Sequence, residues 1–252
     1  MSEIVLKRLS NMIDGSLNIS DLNLSTLPES SLWAEVKYLN CANNKLNQLP
    51  NLSNIIKLNC TANNLVELPD LSSVKELYCA INKLNQLPNL RNVIILNCTS
   101  NNIIDLPDMP NIKELYCSWN ELNYLPNLYN VNIIDCEHNN ISYISYMNNL
   151  INLNCRCNHL VEIQSMSNLE YLNCSENWLT KLPSFPKMKH LTCCYNELIV
   201  LPDMPEVEYI GALGNKLLYN PDYNNIIWKI RKHLWVRAFI VKLRDRINSS
   251  GY

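Results

Sequence analysis

The chain has 252 residues, a formal net charge of −2 and a pI near 6.1, so its overall charge favours neither nucleic acid nor an anionic membrane as a partner. It contains only 4 glycines, which argues against a fold built on glycine-rich phosphate loops. The N-terminal residues do not form a signal peptide, and no stretch approaches the roughly 20 apolar residues that span a bilayer. We therefore expect a soluble, cytoplasmic protein.

The first segment of the chain, residues 1–13, has the apolar spacing of a short helix. Its apolar positions are Ile4, Val5, Leu6, Leu9, Met12 and Ile13. An array of repeats needs a cap that covers the apolar face of its first unit. The segment is therefore predicted to be an N-terminal capping helix.

A repeat of 19 residues starts at Val36 and returns ten times without a change of period. Each unit reads (V/I/L)-x-x-L-x-C-x-x-N-x-L-x-x-L-P-x-(L/M)-x-x, and an asparagine recurs in every unit from Asn44 to Asn215. Residues 17–28 keep the same internal spacing and indicate a degenerate first repeat. Residues 14–220 are thus predicted to form one repeat array.

Each column of the repeat has a physical interpretation. The Leu and Cys of L-x-C lie two residues apart, so they point to one face of a short strand. The asparagine follows the strand, where its amide can bond the backbone of its own and the neighbouring repeat. The Leu-Pro pair, as in Leu49-Pro50, disfavours helix on the return path. The pattern predicts an α/β solenoid with a concave parallel sheet, an extended or polyproline-like convex side and helical caps at both ends.

A longer period of 38 residues lies within the first half of the array. The repeats that begin at Val36, Val74 and Ile112 resemble each other more than their neighbours, and those at Ile55 and Val93 form a second set. This alternation indicates duplication of a two-repeat unit.

The repeat resembles the leucine-rich-repeat superfamily, in particular its short class with L-P-x-L on the convex side. The cysteine in segments such as LYCSWNELNYLP and the composition rich in Asn and Ile are closer to repeat proteins of giant amoebal DNA viruses than to bacterial LPX-type effectors. The resemblance covers about residues 14–220. It implies recognition of a partner by the concave strand face.

Nine of the 11 cysteines occupy the inward column from Cys41 to Cys193, which favours a reduced, buried ladder of small core residues. Cys157 and Cys194 lie outside it. Soft metal coordination by His138, Cys157 and His159 is an alternative, but paired C-x-x-C spacing and a fourth ligand are absent. We therefore predict neither a metal nor a cofactor.

The predicted binding surface consists of the residues that flank the inward Leu and Cys. Exposed Tyr and Trp are common at interfaces, and a strip of carboxylates favours a partner with a basic segment. The alternative is an ordinary surface on which Glu137 pairs with Arg156 of the next strand. The candidate residues are Glu76, Tyr78, Glu114, Tyr116, Trp119, Asp135, Glu137, His138, Arg156, Tyr171, Trp178 and Tyr195.

The C-terminal segment, residues 221–252, has helical apolar spacing and is predicted to be a basic capping helix. Residues 226–247 hold seven cations and one acid, hence a charge of +6. Such a helix can cover the last repeat, or it can bind a membrane or nucleic acid.

The sequence predicts a non-catalytic protein-protein interaction module that binds a protein partner and no small-molecule substrate. Two alternatives stay open. One is attachment to nucleic acid or membrane through residues 226–247. The other is a cysteine-dependent enzyme that uses Cys157 or Cys194 with a nearby histidine, although neither site offers a recognisable oxyanion-hole turn or ordered base. We expect a cytoplasmic location, in the host cell if the protein is viral.

Overall fold

The computed structural model describes residues 2–217, which form a solenoid of short parallel strands. Helix α1 spans Ser2–Ser10, strand β1 spans Ser16–Asn18, and a 3-10 helix spans Ser31–Glu35. The later strands, all of three residues, are β2 Tyr38–Asn40, β3 Lys57–Asn59, β4 Glu76–Tyr78, β5 Ile95–Asn97, β6 Glu114–Tyr116, β7 Ile133–Asp135, β8 Asn152–Asn154, β9 Tyr171–Asn173, β10 His190–Thr192 and β11 Tyr209–Gly211. One sheet contains all eleven in sequence order. The predicted solenoid is confirmed.

The strand register follows the sequence period. From β2 onward each strand pairs in parallel with the residue 19 positions later, as Leu39 does with Leu58. The first pair differs, because Ser16 lies opposite Tyr38, 22 residues later. The longer first turn contains the 3-10 helix, whose Trp33 is 3% exposed and donates its indole N–H to the Pro28 carbonyl at 2.9 Å.

The core is a set of straight columns that run the length of the array. The strand leucines and the ladder cysteines from Cys41 to Cys193 are buried, and each of the nine ladder cysteines is 0% exposed. All eleven cysteines are free thiols. A single repeat of this size cannot bury its apolar face alone, so stacking of neighbouring repeats supplies the hydrophobic stabilisation.

The asparagine column locks each repeat onto the one before it. The Asn120 amide lies 3.0 Å from the Cys98 carbonyl of the preceding repeat and 3.1 Å from the carbonyls of Cys117 and Ser118 in its own. Its side-chain oxygen accepts the N–H of Ile103 at 3.0 Å. No buried side-chain nitrogen or oxygen within residues 2–217 lacks a hydrogen-bond partner. Every polar group of the ladder is therefore satisfied, as burial requires.

The residue before each ladder asparagine adopts a left-handed backbone. From Asn43 to Tyr195 these nine residues have φ between 51 and 57°, although none is glycine. This geometry aims successive N–H groups at the next repeat, as Trp119 N–H donates to the Glu137 carbonyl at 2.9 Å and Asn120 N–H to the His138 carbonyl at 3.3 Å. Left-handed backbone is costly for branched and bulky side chains, so the turn stores some strain.

The return side of the solenoid is extended, with turns and no helix between residues 36 and 217. A second asparagine column connects its repeats: Asn111 donates to the Arg91 carbonyl at 2.9 Å, and Asn130 donates to that of Pro110 at 2.9 Å. These side chains are exposed, unlike the inner ladder. Sequence reasoning did not single this column out.

The N-terminal helix packs on the first strand through two side chains only. Val5 and Leu9 are buried, whereas Ile4, Leu6 and Ile13 of the predicted cap are exposed. The helix ends at Ser10, before residue 13. The predicted C-terminal capping helix, residues 221–252, lies outside the described residues. Within the described part of the chain, no helix is long and apolar enough to cross a membrane.

Candidate functional site

The residues before and after the buried Leu or Ile of strands β2–β11 form one continuous surface, which we call the open strand face. Alternation along each strand points the middle residue into the core and its two neighbours outward. The structure shows this in strands β4–β7, where the central residue is buried and both flanking residues are half-buried. The sheet therefore presents two parallel columns of side chains.

On strands β4 and β6, the two flanking residues are a glutamate and a tyrosine that contact each other. The Tyr78 hydroxyl donates to Glu76 Oε2 at 3.2 Å, and the Tyr116 hydroxyl donates to Glu114 Oε2 at 3.0 Å. Burial, followed by the adjacent carboxylate, raises the pKa of both tyrosines above the ordinary value. Each pair is thus a carboxylate held beside an aromatic ring with the phenol protonated.

A lysine already occupies the first of these pairs. Lys57 Nζ on β3 lies 2.7 Å from Glu76 Oε2 and 5.4 Å from the centre of the Tyr78 ring. The hydrogen bond from Lys57 holds the pKa of the Glu76 carboxyl below its ordinary value. Sequence reasoning placed Lys57 on this face but did not identify it as the cation of a site.

Three carboxylates near the second pair have no cationic partner among residues 2–217: Glu114, Asp135 and Glu137. The Asn154 side-chain amide on β8 bridges two of them, donating to Asp135 Oδ1 at 3.0 Å and to Glu137 Oε2 at 3.1 Å. An amide carries no net charge, so the negative charge on strands β6 and β7 stays unbalanced locally.

Beyond the end of strand β6, two rings stack. The centroids of Trp119 and His138 are 3.7 Å apart with an interplanar angle of 18°. Trp119 is 53% exposed even so, and its backbone φ of 55° belongs to the left-handed column. The stack fixes a large, stiff aromatic surface beside the carboxylates on strands β6 and β7.

The alternative pairing of Glu137 with Arg156 is wrong, because Arg156 pairs with Glu176 on the following repeat. Its Nη2 and Nε lie 2.5 and 3.0 Å from Glu176 Oε1. The Cys157 thiol donates to Glu176 Oε2 at 2.8 Å. Both groups hold the pKa of the Glu176 carboxyl below its ordinary value, the thiol contributing first. Glu137 is left to Asn154.

The residues of the suggested metal site point to separate partners. His138 stacks on Trp119, Cys157 bonds Glu176, and the His159 ring lies 4.8 Å from that of Trp178. Across residues 2–217 there is no group of three metal-ligating side chains that could hold an ion. Burial and then Glu176 raise the pKa of the Cys157 thiol to about 11, so it stays protonated near neutral pH.

The remaining candidates lie further along the solenoid. Tyr171 on β9 stacks on His190 at 5.1 Å between centroids, and His190 stacks on Tyr209 at 6.2 Å. Trp178 follows the ladder asparagine and so lies past the strand. Tyr195 is 57% exposed, and a Cβ on Gly214 would come within 2.6 Å of its ring, which explains the glycine there. These residues are several strands from β4–β7 and form separate aromatic groups.

Three surface grooves of about 400 to 650 Å³ lie away from strands β4–β8. One is formed on the return side near Trp33 and Pro50, one between α1 and β1, and one near Pro183. The candidate surface is therefore a broad face and not a small-molecule pocket.

Comparison with known proteins supports the fold. No protein-family model matches the sequence, and no curated protein is significantly similar to it. Solved structures do match. The leucine-rich-repeat domain of APL1B superposes with a TM-score of 0.71 at 19% identity, covering 86% of this chain and 72% of that one.

Two further matches carry informative descriptions. The functional domain of InlJ from Listeria monocytogenes, described as including a cysteine ladder, has a TM-score of 0.59 at 24% identity and covers 79% of this chain and 54% of that one. A chain from the octameric complex of latrophilin 3, Unc5D and the leucine-rich-repeat part of FLRT2 has a TM-score of 0.55 at 17% identity, with 80% and 82% covered. Together with the strand register, these similarities identify the chain as a leucine-rich-repeat solenoid.

Proposed function

We propose that the chain is a non-catalytic protein-protein interaction module that binds a partner on the open strand face, over strands β4–β8. The observation that carries the proposal is the unbalanced charge of Glu114, Asp135 and Glu137 beside Tyr116 and the exposed Trp119. A monomer has no structural need for unpaired carboxylates and a half-exposed indole in one place.

The chemistry of this surface favours a protein with a basic segment. Tyrosine and tryptophan offer large contact areas with few rotatable bonds, so they lose little entropy on binding. Unpaired carboxylates attract lysine and arginine and accelerate their encounter with the face. Stacking repeats also present a long concave surface by construction.

Catalysis is the weaker hypothesis. A nucleophilic cysteine needs a lowered pKa, and burial raises the pKa of Cys157 instead. Its hydrogen-bond partner is the carboxylate of Glu176, which is bound to Arg156 and so is a poor base. The described grooves also lie away from this thiol.

The solved neighbours add support of a general kind. One similar chain comes from a complex that FLRT2 forms through its leucine-rich repeats with other proteins. A solenoid of this fold therefore does assemble with proteins in at least one case. The identity of 17% transfers the fold alone, so the choice of face for this chain rests on its own residues.

The test compares partner capture by two double variants of the full chain. Tyr116→Ala/Trp119→Ala removes rings from the open strand face, and Tyr124→Ala/Tyr129→Ala removes exposed tyrosines from the return side of the same repeat. Circular dichroism and urea unfolding establish that both fold. We expect the first variant to lose a partner captured from lysate and the second to retain it. Retention of every partner by the first variant contradicts the proposal.

We also propose a reducing, cytoplasmic setting, in the host cell if the source is viral. Neighbouring ladder cysteines are stacked at strand spacing, and an oxidising compartment would threaten this column with irregular disulfides. Attachment to nucleic acid or membrane depends on residues 226–247, which lie outside the described residues, and it stays a prediction from the sequence.

A further inference from the structure

The 38-residue unit places the same three positions on neighbouring strands twice. The first position belongs to one strand, and the other two flank the buried leucine of the next strand. These positions are 57, 76 and 78 in the first copy and 95, 114 and 116 in the second. The register of both copies is identical, because residue 57 lies opposite residue 76 and residue 95 lies opposite residue 114.

In the first copy the three side chains form a complete cation site. Lys57 reaches Glu76 Oε2 at 2.7 Å, and its ammonium lies 5.4 Å from the Tyr78 ring centre. The cation therefore receives both a carboxylate and an aromatic face, each of which stabilises it. The Tyr78 hydroxyl donates to the same carboxylate oxygen and holds it in place.

The second copy keeps the glutamate and the tyrosine but has lost the lysine. Tyr116 donates to Glu114 Oε2 at 3.0 Å, as in the first copy, while position 95 is isoleucine. No cation of residues 2–217 lies within ion-pair distance of Glu114. Asp135, opposite Tyr116 on the next strand, adds a second negative charge.

The strands on either side give this copy an apolar border. Glu114 lies between Ile95 on β5 and Ile133 on β7 in the strand register, and both isoleucines are half-buried. A lysine side chain has a long aliphatic stem and a charged end, so it can cover an isoleucine while its ammonium reaches the carboxylate. The border is apolar where the stem would lie and anionic where the charge would lie.

We propose that Glu114 and Tyr116 form a receptor for a lysine side chain of the partner. This inference rests on the proposed function and specifies its chemistry. The partner's ammonium takes the place that Lys57 fills in the first copy, on the Glu114 carboxylate and over the Tyr116 ring. Its stem lies against Ile95 or Ile133. The duplication thus turned an internal ion pair into an open contact for a second molecule.

The structure suggests two opposite variants as the test. Ile95→Lys restores the internal cation and should fill the second copy, whereas Lys57→Ile should open the first. The probe is a fluorescein-labelled peptide with lysines in a glycine-serine background, and the same peptide with acetylated lysines is its control. Binding to the full-length chain is measured by fluorescence anisotropy at low salt, where surface ion pairs are least screened.

We expect the lysine peptide to bind the natural chain and the acetylated peptide not to bind. Ile95→Lys and Glu114→Gln should each weaken binding about tenfold, since each removes a charge-assisted contact. The matched control, Ile95→Leu, should change it less than about twofold, since it keeps volume and polarity. Lys57→Ile should strengthen binding.

Two results overturn this inference. One is equal binding of the lysine peptide to the natural chain and to Ile95→Lys. The other is failure of the lysine peptide to bind the natural chain at all. In either case the proposed function is judged separately by the Tyr116→Ala/Trp119→Ala capture experiment. If that variant still loses its partner, the face is the binding site and only the lysine receptor is wrong.

Discussion

The interior ladders and the open strand face follow the same 19-residue period, yet they behave in opposite ways. Inside, the cysteine column from Cys41 to Cys193 and the asparagine column after it do not vary from repeat to repeat. On the face, the position before the buried leucine changes from Lys57 to Glu76 to Ile95. A buried amide must satisfy each of its polar atoms, whereas a half-buried surface position is free to change.

This contrast separates stability from recognition. Substitutions in the ladders should affect the free energy of unfolding and leave the binding chemistry alone unless the chain unfolds. Substitutions on the open strand face should affect binding with small changes in stability. Four predictions test this division, from the largest expected effect to the smallest.

The cysteine ladder should make the protein sensitive to alkali. Burial is the main cause that raises the pKa of all nine ladder thiols above the ordinary value of 9.0, for example to about 12 in Cys98. The folded state therefore holds protons that the unfolded state releases. Stability is fully present below pH 9 and is lost as the pH rises towards 12. Each thiol contributes up to about 1.4 kcal/mol per pH unit, so the full ladder reaches roughly 10.

Circular dichroism at a series of alkaline pH values measures this loss. Cys117→Ala should reduce the slope of unfolding free energy against pH by about 1.4 kcal/mol per unit, since one titrating group is gone. An unfolding free energy that does not change between pH 8 and pH 10 would show that the thiols are not buried as described.

Loss of one ladder amide should have the next largest effect. Asn120→Ala leaves the Cys98 and Cys117 carbonyls and the Ile103 N–H without that partner inside the protein. Unsatisfied buried groups cost about 1 to 3 kcal/mol each, so we expect a loss of roughly 3 kcal/mol or more in urea unfolding.

The matched control is Asn130→Ala on the return side. This asparagine also bridges two repeats, but it makes its bond to Pro110 in an exposed position. Its replacement should cost about 1 kcal/mol or less, because water takes over the freed carbonyl. Equal losses from the two variants would mean that burial does not distinguish the two asparagine columns.

Relief of backbone strain should stabilise the chain modestly. Ile81 has φ of 55° and is 58% exposed, so its branched side chain gains little from burial and occupies an unfavourable region. Ile81→Asn should raise the unfolding free energy by about 1 kcal/mol, because asparagine tolerates left-handed backbone. Ile94→Asn, at an exposed isoleucine outside the left-handed column, should give no gain in the same urea experiment.

The smallest effect should come from the ion pair between Arg156 and Glu176. Both side chains are 39% exposed, so solvent and salt screen their attraction. A double-mutant cycle with Arg156→Met and Glu176→Gln should give a coupling below about 1 kcal/mol that shrinks as salt is added. Because the pKa of Glu176 is lowered in the fold, its contribution is present at neutral pH and lost as acid protonates it. A coupling that grows with salt would contradict this account.

Much of the architecture could be predicted from the sequence because a strict period leaves little choice. Leu39 and Cys41 lie two residues apart in a unit of 19, which fixes both the strand and its inward face. The first repeat was harder, because its register of 22 residues depends on Trp33 and the 3-10 helix and has no counterpart elsewhere in the array.

The candidate site was predictable as a surface but not as a set of contacts. The sequence placed Glu137 and Arg156 one repeat apart, which allowed a pair, yet Arg156 turned to Glu176 and Asn154 took Glu137. Long polar side chains on adjacent strands have several partners within reach, and rotamer choice decides among them. The 38-residue period did contain the signal that relates Lys57 to Ile95, but only the observed Lys57 contacts gave that relation a meaning.

The sequence by itself determined the period, the inward columns and the open face, because the spacing of apolar residues and the two-residue alternation of a strand are local properties. Tertiary structure alone decided which charges are neutralised. Glu76 and Glu114 occupy equivalent places in their repeats, and the difference between them arises from a residue on the strand before. Electrostatic pairing acts through space between neighbouring repeats, so it appears only once the strands are stacked.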